Sequence, residues 1–138
     1  MRVYFVFGLE FEQTSKVIIG FTHRPEQTGG PGTFQTRLQA MLLRDGHELV
    51  YPDDDVAPDI VFVVGGTRRL YWIWKMKRRG ARVVHRLDGI NWRHRVRSTS
   101  FAYYWRAEIR NLLLVWIRNY LADCVVYQSR FIQNWGCV

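Results

Sequence analysis

The chain has 138 residues, 48% of them hydrophobic, and a formal net charge of +8. This length and composition fit one globular domain with a sizeable core and exclude a disordered chain. The charge is divided: residues 1–64 carry five basic and nine acidic side chains, residues 65–138 fifteen basic and three acidic, a split that suits an acidic partner such as phosphate, an anionic headgroup or nucleic acid.

In chain order, residues 2–7 are strand-like and either pair antiparallel with the next strand or form the first parallel strand themselves. Residues 16–21 (KVIIGF) read as a strand. Residues 32–44 read as a helix, with Phe34, Leu38, Met41 and Leu42 at helical spacing and Gly46 as its stop. A second strand covers residues 48–51. A third covers 59–64 (DIVFVV), a continuous apolar run of the kind found in sheets covered on both faces. Residues 68–79 form a basic-aromatic helix ended by Gly80, and 82–85 a fourth strand. Residues 101–121 form a long helix with Trp105, Ile109, Leu112 and Trp116 on one stripe. A fifth strand spans 124–127, and Ser129 caps a last short helix over 130–135.

Strands alternating with helices predict a single α/β domain over residues 1–138, a Rossmann-like parallel sheet with helices on both faces. No apolar run reaches the ~20 residues of a membrane span; the longest candidate, 109–121, is broken by Arg110, Asn111, Arg118 and Asn119. The apolar start is followed by acidic residues and no small-residue cleavage site, so no signal peptide is expected. Cys124 and Cys137 have the wrong spacing for a metal knuckle. Cys124 reads as core, in a reducing compartment. His23, His47 and His94 stand apart, so no metal site is expected.

Ligands of open parallel sheets bind beyond the carboxyl ends of the strands. Glycines and polar side chains collect at those ends: "THRPEQTGGPGTF" after the first strand, "GGT" after the third, "RLDGINW" after the fourth and "QSR" after the fifth. The glycines of "GGPG" (Gly29, Gly30, Gly32) enter a helix, where a ligand can approach the backbone and the helix N-terminus favours phosphate. The dinucleotide fingerprint G-x-G-x-x-G directly after a strand is absent. Asp88 either binds or activates a sugar hydroxyl, orients Arg86, or forms an Asx turn with Gly89. Trp92 fits sugar stacking or simple packing.

Three stretches, "GGPGTF", "RRGARVVHRLDGINW" and "ADCVVYQSRFIQNW", resemble in this order the N-terminal domain of family 4, GT-B-fold glycosyltransferases, from about Lys16 to the end of the chain. Tyr127, Ser129, Phe131 and Trp135 match the most specific part, a strand followed by Y-x-S-x-F and a tryptophan-bearing helix. Many relatives have a histidine where Asp88 stands. The resemblance implies the N-terminal half of a GT-B architecture: the acceptor-binding part of a retaining enzyme that moves a sugar from a nucleotide-sugar to a glycan, lipid or other acceptor. The donor domain, with its pair of glutamates, would follow residue 138, and the chain alone is expected to be truncated and inactive. By the same resemblance Gly29, Gly30, Gly32 and Thr33 lie near the donor phosphates, with Arg86 and Ser129 on the binding edge. Asp88 and Asn91 face the acceptor, with Asp88 the candidate catalytic carboxylate. No metal or cofactor is expected beyond the nucleotide-sugar.

A cytoplasmic protein is expected. A peripheral contact with an anionic membrane would use Lys75, Lys77, Arg78 and Arg79 beside Trp72, Ile73 and Met76. The aromatics of the two long helices are so numerous that some are expected to face the missing domain. The alternative is a basic nucleic-acid-binding module, disfavoured because those aromatics fall at helical spacing, or a non-catalytic Rossmann-like interaction domain.

Overall fold

The computed structural model describes residues 16–25, 30–87 and 100–127. The expected strand over 2–7, the helix over 130–135, and Gly29, Asp88, Asn91 and Ser129 lie outside the described residues. Five strands, β1 (Ile18–Phe21), β2 (Glu48–Val50), β3 (Ile60–Val64), β4 (Arg82–Leu87) and β5 (Cys124–Tyr127), form one sheet in the order β2-β1-β3-β4-β5. Every neighbouring pair is parallel. With α1 (Gly30–Arg44), α2 (Leu70–Arg78) and α3 (Phe101–Trp116), which runs into a π-helical turn at Ile117–Leu121, this is the expected Rossmann-like α/β fold.

The order of the strands decides where the helices go. From β1 the chain crosses to one side, to β2; from β3 it crosses to the other, through β4 to β5. Right-handed crossovers therefore place α1 on one face and α2 and α3 on the opposite face. Packing agrees. Phe34 of α1 lies 6.4 Å from the Phe62 ring, which stacks 5.8 Å from Phe21. On the other face Val61, Val63 and Val83 of the sheet close over Ile73, Met76, Ile117 and Leu121. Gly20 of β1 points to this second face. A Cβ there would come within 2.9 Å of both Pro58 and Trp72, so a glycine is what lets α2 sit this close.

Helix ends follow their sequence signals. Pro31 stands in the first turn of α1, where its missing N–H costs nothing. At the other end the N–H groups of Gly46 and His47 bond the carbonyls of Leu43 and Leu42, a Schellman closure that needs the left-handed φ of +86° at Gly46. The amino-terminal edge of the sheet is stitched by two aspartates. Asp59 Oδ2 accepts from Ile18 N at 2.8 Å. Asp123 accepts from Val83 N at 2.8 Å and from Lys77 Nζ at 2.7 Å, and Lys77 also donates to Leu121 O. Burial pushes the Asp123 carboxyl pKa up, but the bonds from Lys77 and Val83 and the charges of Lys77 and Arg82 outweigh it and hold it below the ordinary range.

The stripe Trp105, Ile109, Leu112 and Trp116 is the solvent side of α3: Trp105 is 53% exposed and Leu112 67%. The sheet side is Ala107, Asn111 and Leu114, continued by Ile117 and Leu121. Both sides of this helix carry apolar residues, so periodicity marks a stripe without saying which one is buried. On α2, Ile73 and Met76 are buried and Trp72 packs against the core, so the apolar side expected to meet a membrane meets the sheet instead. Cys124 is only half-buried. Because Ile117 is fully enclosed and Leu112 is not, Ile117→Ala should cost about 2–5 kcal/mol in urea unfolding. Leu112→Ala should stay within about 0.5 kcal/mol; the reverse ranking would return Leu112 to the core.

Candidate functional site

The strand order 2-1-3-4-5 changes direction between β1 and β3, and the crevice outside the carboxyl ends of those strands is where such sheets hold ligands. Residues from four segments meet there: Thr22 and His23 after β1, the first turn of α1, Gly65 to Thr67 after β3, and the end of β4.

α1 begins at Gly30, two residues earlier than periodicity indicates. Gly30, Gly32 and Thr33 therefore stand within the first helical turn. Pro31 has no N–H, so the donors of this turn are those three residues. The first turn of the 15-residue helix carries no acidic side chain to offset its positive end. The next residue, Phe34, is the shelf for Arg86. The guanidinium carbon of Arg86 lies 3.7 Å from the Phe34 ring centroid, a cation–π contact in a shielded place, with Arg86 93% buried by its 7% relative exposure. Gln35 is buried, and its Nε2 donates to His23 O at 2.7 Å, which ties the same turn to the end of β1. Thr22 Oγ1 and His23 Nδ1 share a hydrogen bond of 2.9 Å.

β4 runs on to Leu87, two residues beyond the expected end, so Arg86 joins His85 in the strand and does not open a loop. They point to opposite faces. Arg86 goes to the α1 face. His85 is fully buried on the other, with Nε2 2.9 Å from Gly65 O. A carbonyl only accepts, so Nε2 carries the proton. Nδ1 has no partner among the described residues. Burial lowers the His85 pKa, the Gly65 bond opposes this, and Arg118 lowers it further, with a net shift below 6.5. His85 is thus a neutral strut that fixes the loop after β3, not a ligand group.

Of the expected site residues the structure joins Gly30, Gly32, Thr33 and Arg86 at one corner. Phe34 and Gln35 belong there too, and sequence reasoning missed both roles. The signal was Gln35 with Gln39, both buried: two polar residues four apart, on the side of α1 that should be apolar. A shallow hollow lined by Lys77, Gly80, Ala81, Arg82 and Asp123 lies at the opposite edge of the sheet and is the surface of the Lys77–Asp123 clamp. Among the described residues no group of His, Cys, Asp and Glu could hold a metal ion.

A His85 pKa lowered in the folded state makes stability constant above about pH 6.5 and lost progressively as pH falls below it, because the unfolded chain binds the proton more readily. His85→Gln keeps a donor for Gly65 O but does not titrate. It should at least halve the fall in urea midpoint between about pH 7 and pH 5; an unchanged fall would assign that limb to other groups. No protein-family model, curated protein or solved structure matches the chain.

Proposed function

We propose that the chain is the acceptor-side half of a retaining, GT-B-type glycosyltransferase, and that the corner between α1 and β4 receives phosphate of a nucleotide-sugar. The observation that carries this reading is the buried Arg86 guanidinium stacked on Phe34 beside the first turn of α1. A fixed cation and a helix N-terminus with no acidic residue in its first turn converge at the crevice where doubly wound sheets take phosphate-bearing ligands. The resemblance of "GGPGTF", "HRLDG" and "YQSRF" to family 4 enzymes supports the same ligand class. By the resemblance, Asp88 and Asn91 serve the acceptor, Asp88 as the carboxylate that accepts a hydrogen bond from its hydroxyl, and Gly29 and Ser129 serve the donor phosphates. The opposite wall of the cleft belongs to a second domain, as the resemblance implies, so the 138 residues bind but do not turn over.

Calorimetric titration with a nucleoside diphosphate tests the corner directly. Arg86→Gln should weaken binding at least tenfold, about 1.4 kcal/mol, and Arg86→Lys should restore only part of it, because an ammonium cannot reproduce the stacked planar fork. Folding is checked by far-ultraviolet circular dichroism. Undiminished binding by folded Arg86→Gln, or no binding by the unaltered chain, contradicts the assignment. When the chain is joined to a donor domain, Asp88→Asn should lower transfer at least tenfold with little change in thermal midpoint. Full activity would make Asp88 a turn residue. Turnover of a nucleotide-sugar by the 138 residues alone would contradict the divided cleft, since transfer needs both substrates held together.

A further inference from the structure

A second surface lies on the far side of the molecule from the corner just described. The outward stripe of α3 and its π-helical turn consists of Phe101, Trp105, Ile109, Leu112, Trp116 and Tyr120, all exposed, with Phe101 at 79% and Tyr120 at 69%. At 1.5 Å per residue the stripe is about 28 Å long, and its spacing of four, four, three, four and four residues keeps it on one side of the helix. α2 lies against the π-helical turn: Lys77 donates to Leu121 O, and Ile73 and Met76 share a core with Ile117 and Leu121. Both helices rest on the same face of the sheet, so their outer sides point the same way. The outer side of α2 adds Tyr71, 72% exposed, and Trp74, whose ring lies 5.9 Å from Tyr71 and 5.0 Å from the Arg78 guanidinium.

We infer that this outer face of α2 and α3 docks on an anionic lipid bilayer. Tryptophan and tyrosine rings with one apolar and one polar side partition to the headgroup boundary, and this face is built mainly from them, with Ile109 and Leu112 at the centre of the stripe. Charge selects the partner. α2, α3 and the π-helical turn carry six basic side chains, Lys75, Lys77, Arg78, Arg106, Arg110 and Arg118, against one acid, Glu108, which is half-buried. Arg78, Arg79 and Arg106 are exposed and stand where an anionic surface attracts each by about 1 kcal/mol. A second copy on the same face would set like charges against each other. Nucleic acid would gain nothing from the aliphatic centre of the stripe.

No helix among the described residues is long and apolar enough to cross a membrane, so the contact is one of lying on the surface, with helices in the plane of the headgroups. This places the sheet's carboxyl edge at the side of the contact, open along the membrane. The inference stands independently of the ligand assigned to that edge.

Co-flotation of the 138-residue chain with vesicles of phosphatidylcholine and phosphatidylglycerol in equal parts, against phosphatidylcholine alone, tests it. Recovery should be at least tenfold higher with the anionic vesicles. The triple variant Trp105→Ser, Leu112→Ser, Trp116→Ser, which alters only exposed positions, should lose at least tenfold of that recovery with unchanged circular dichroism. Brominated acyl chains should quench the tryptophan fluorescence of the unaltered chain, a readout that depends on no variant. Equal recovery with both vesicles, absence of flotation, undiminished flotation of the triple variant, or a dimer that hides the face and prevents vesicle binding would each overturn the inference. So would a salt-steep affinity for duplex DNA or single-stranded RNA that exceeds the affinity for vesicles.

Discussion

The pairing of β4 with β3 is the constraint on which the other features depend. It runs over five residue pairs, from Ile60 with Arg82 to Val64 with Arg86, and the Gly65 N–H then bonds Arg86 O at 3.0 Å while His85 Nε2 bonds Gly65 O. Because side chains alternate along a strand, this register sends Val83 and His85 to the α2–α3 face and Val84 and Arg86 to the α1 face. A slip of one residue would exchange them, driving the guanidinium into a core of Val61, Val63, Ile73 and Ile117 and putting the neutral imidazole against Phe34. A charge forced into that apolar core without a partner would cost several kcal/mol. The strut and the candidate ligand cation are thus two consequences of one register.

The two faces of the sheet serve different ends. The α2–α3 face is the dry one, with Val61, Val63, Ile73, Val83 and Ile117 fully enclosed. The α1 face, at the carboxyl end of the strands, includes Phe34, Gln35, Gln39 and Arg86, so much of what is buried there is polar. Polar groups placed under a helix are expensive unless satisfied; here Gln35 donates to His23 O and Gln39 Oε1 accepts from the Tyr51 hydroxyl at 3.2 Å, while Gln39 Nε2 has no partner among the described residues. Such a face gives up part of its hydrophobic stabilisation in exchange for a corner that can present charge and hydrogen-bond donors. The dry face carries the stability, and its helices are free to expose their outer sides to a further surface.

Much of this was legible in the sequence. The five described strands, the three long helices, their order and the parallel sheet follow from runs such as DIVFVV and from glycines 46 and 80 after each of the first two helices. The proposal that the carboxyl edge is the ligand edge rests on where glycines and polar residues collect. The side of α3 that meets the sheet was not legible, because a helix with apolar residues on opposite sides gives periodicity two solutions; Asn111, a polar residue on the buried side, argued against the right one. The end of β4 was misjudged because Arg86 and Leu87 open the stretch RLDGINW, which looks like loop chemistry. A histidine whose Nε2 meets a carbonyl twenty residues away and an arginine that finds a phenylalanine on another helix obey tertiary contacts that no local pattern records.

The central claim is that the ligand corner lies at the crossing of β1, β3, β4 and the first turn of α1. Chemical-shift mapping of backbone amides during titration with a nucleoside diphosphate tests it most directly. The account predicts shifts at Thr22, His23, Gly32, Thr33, Gly65 and Arg86, with the amides of Lys77, Ala81, Arg82 and Asp123 at the opposite edge unmoved. Shifts confined to that opposite edge, or shifts spread evenly over the exposed basic side chains, would contradict it.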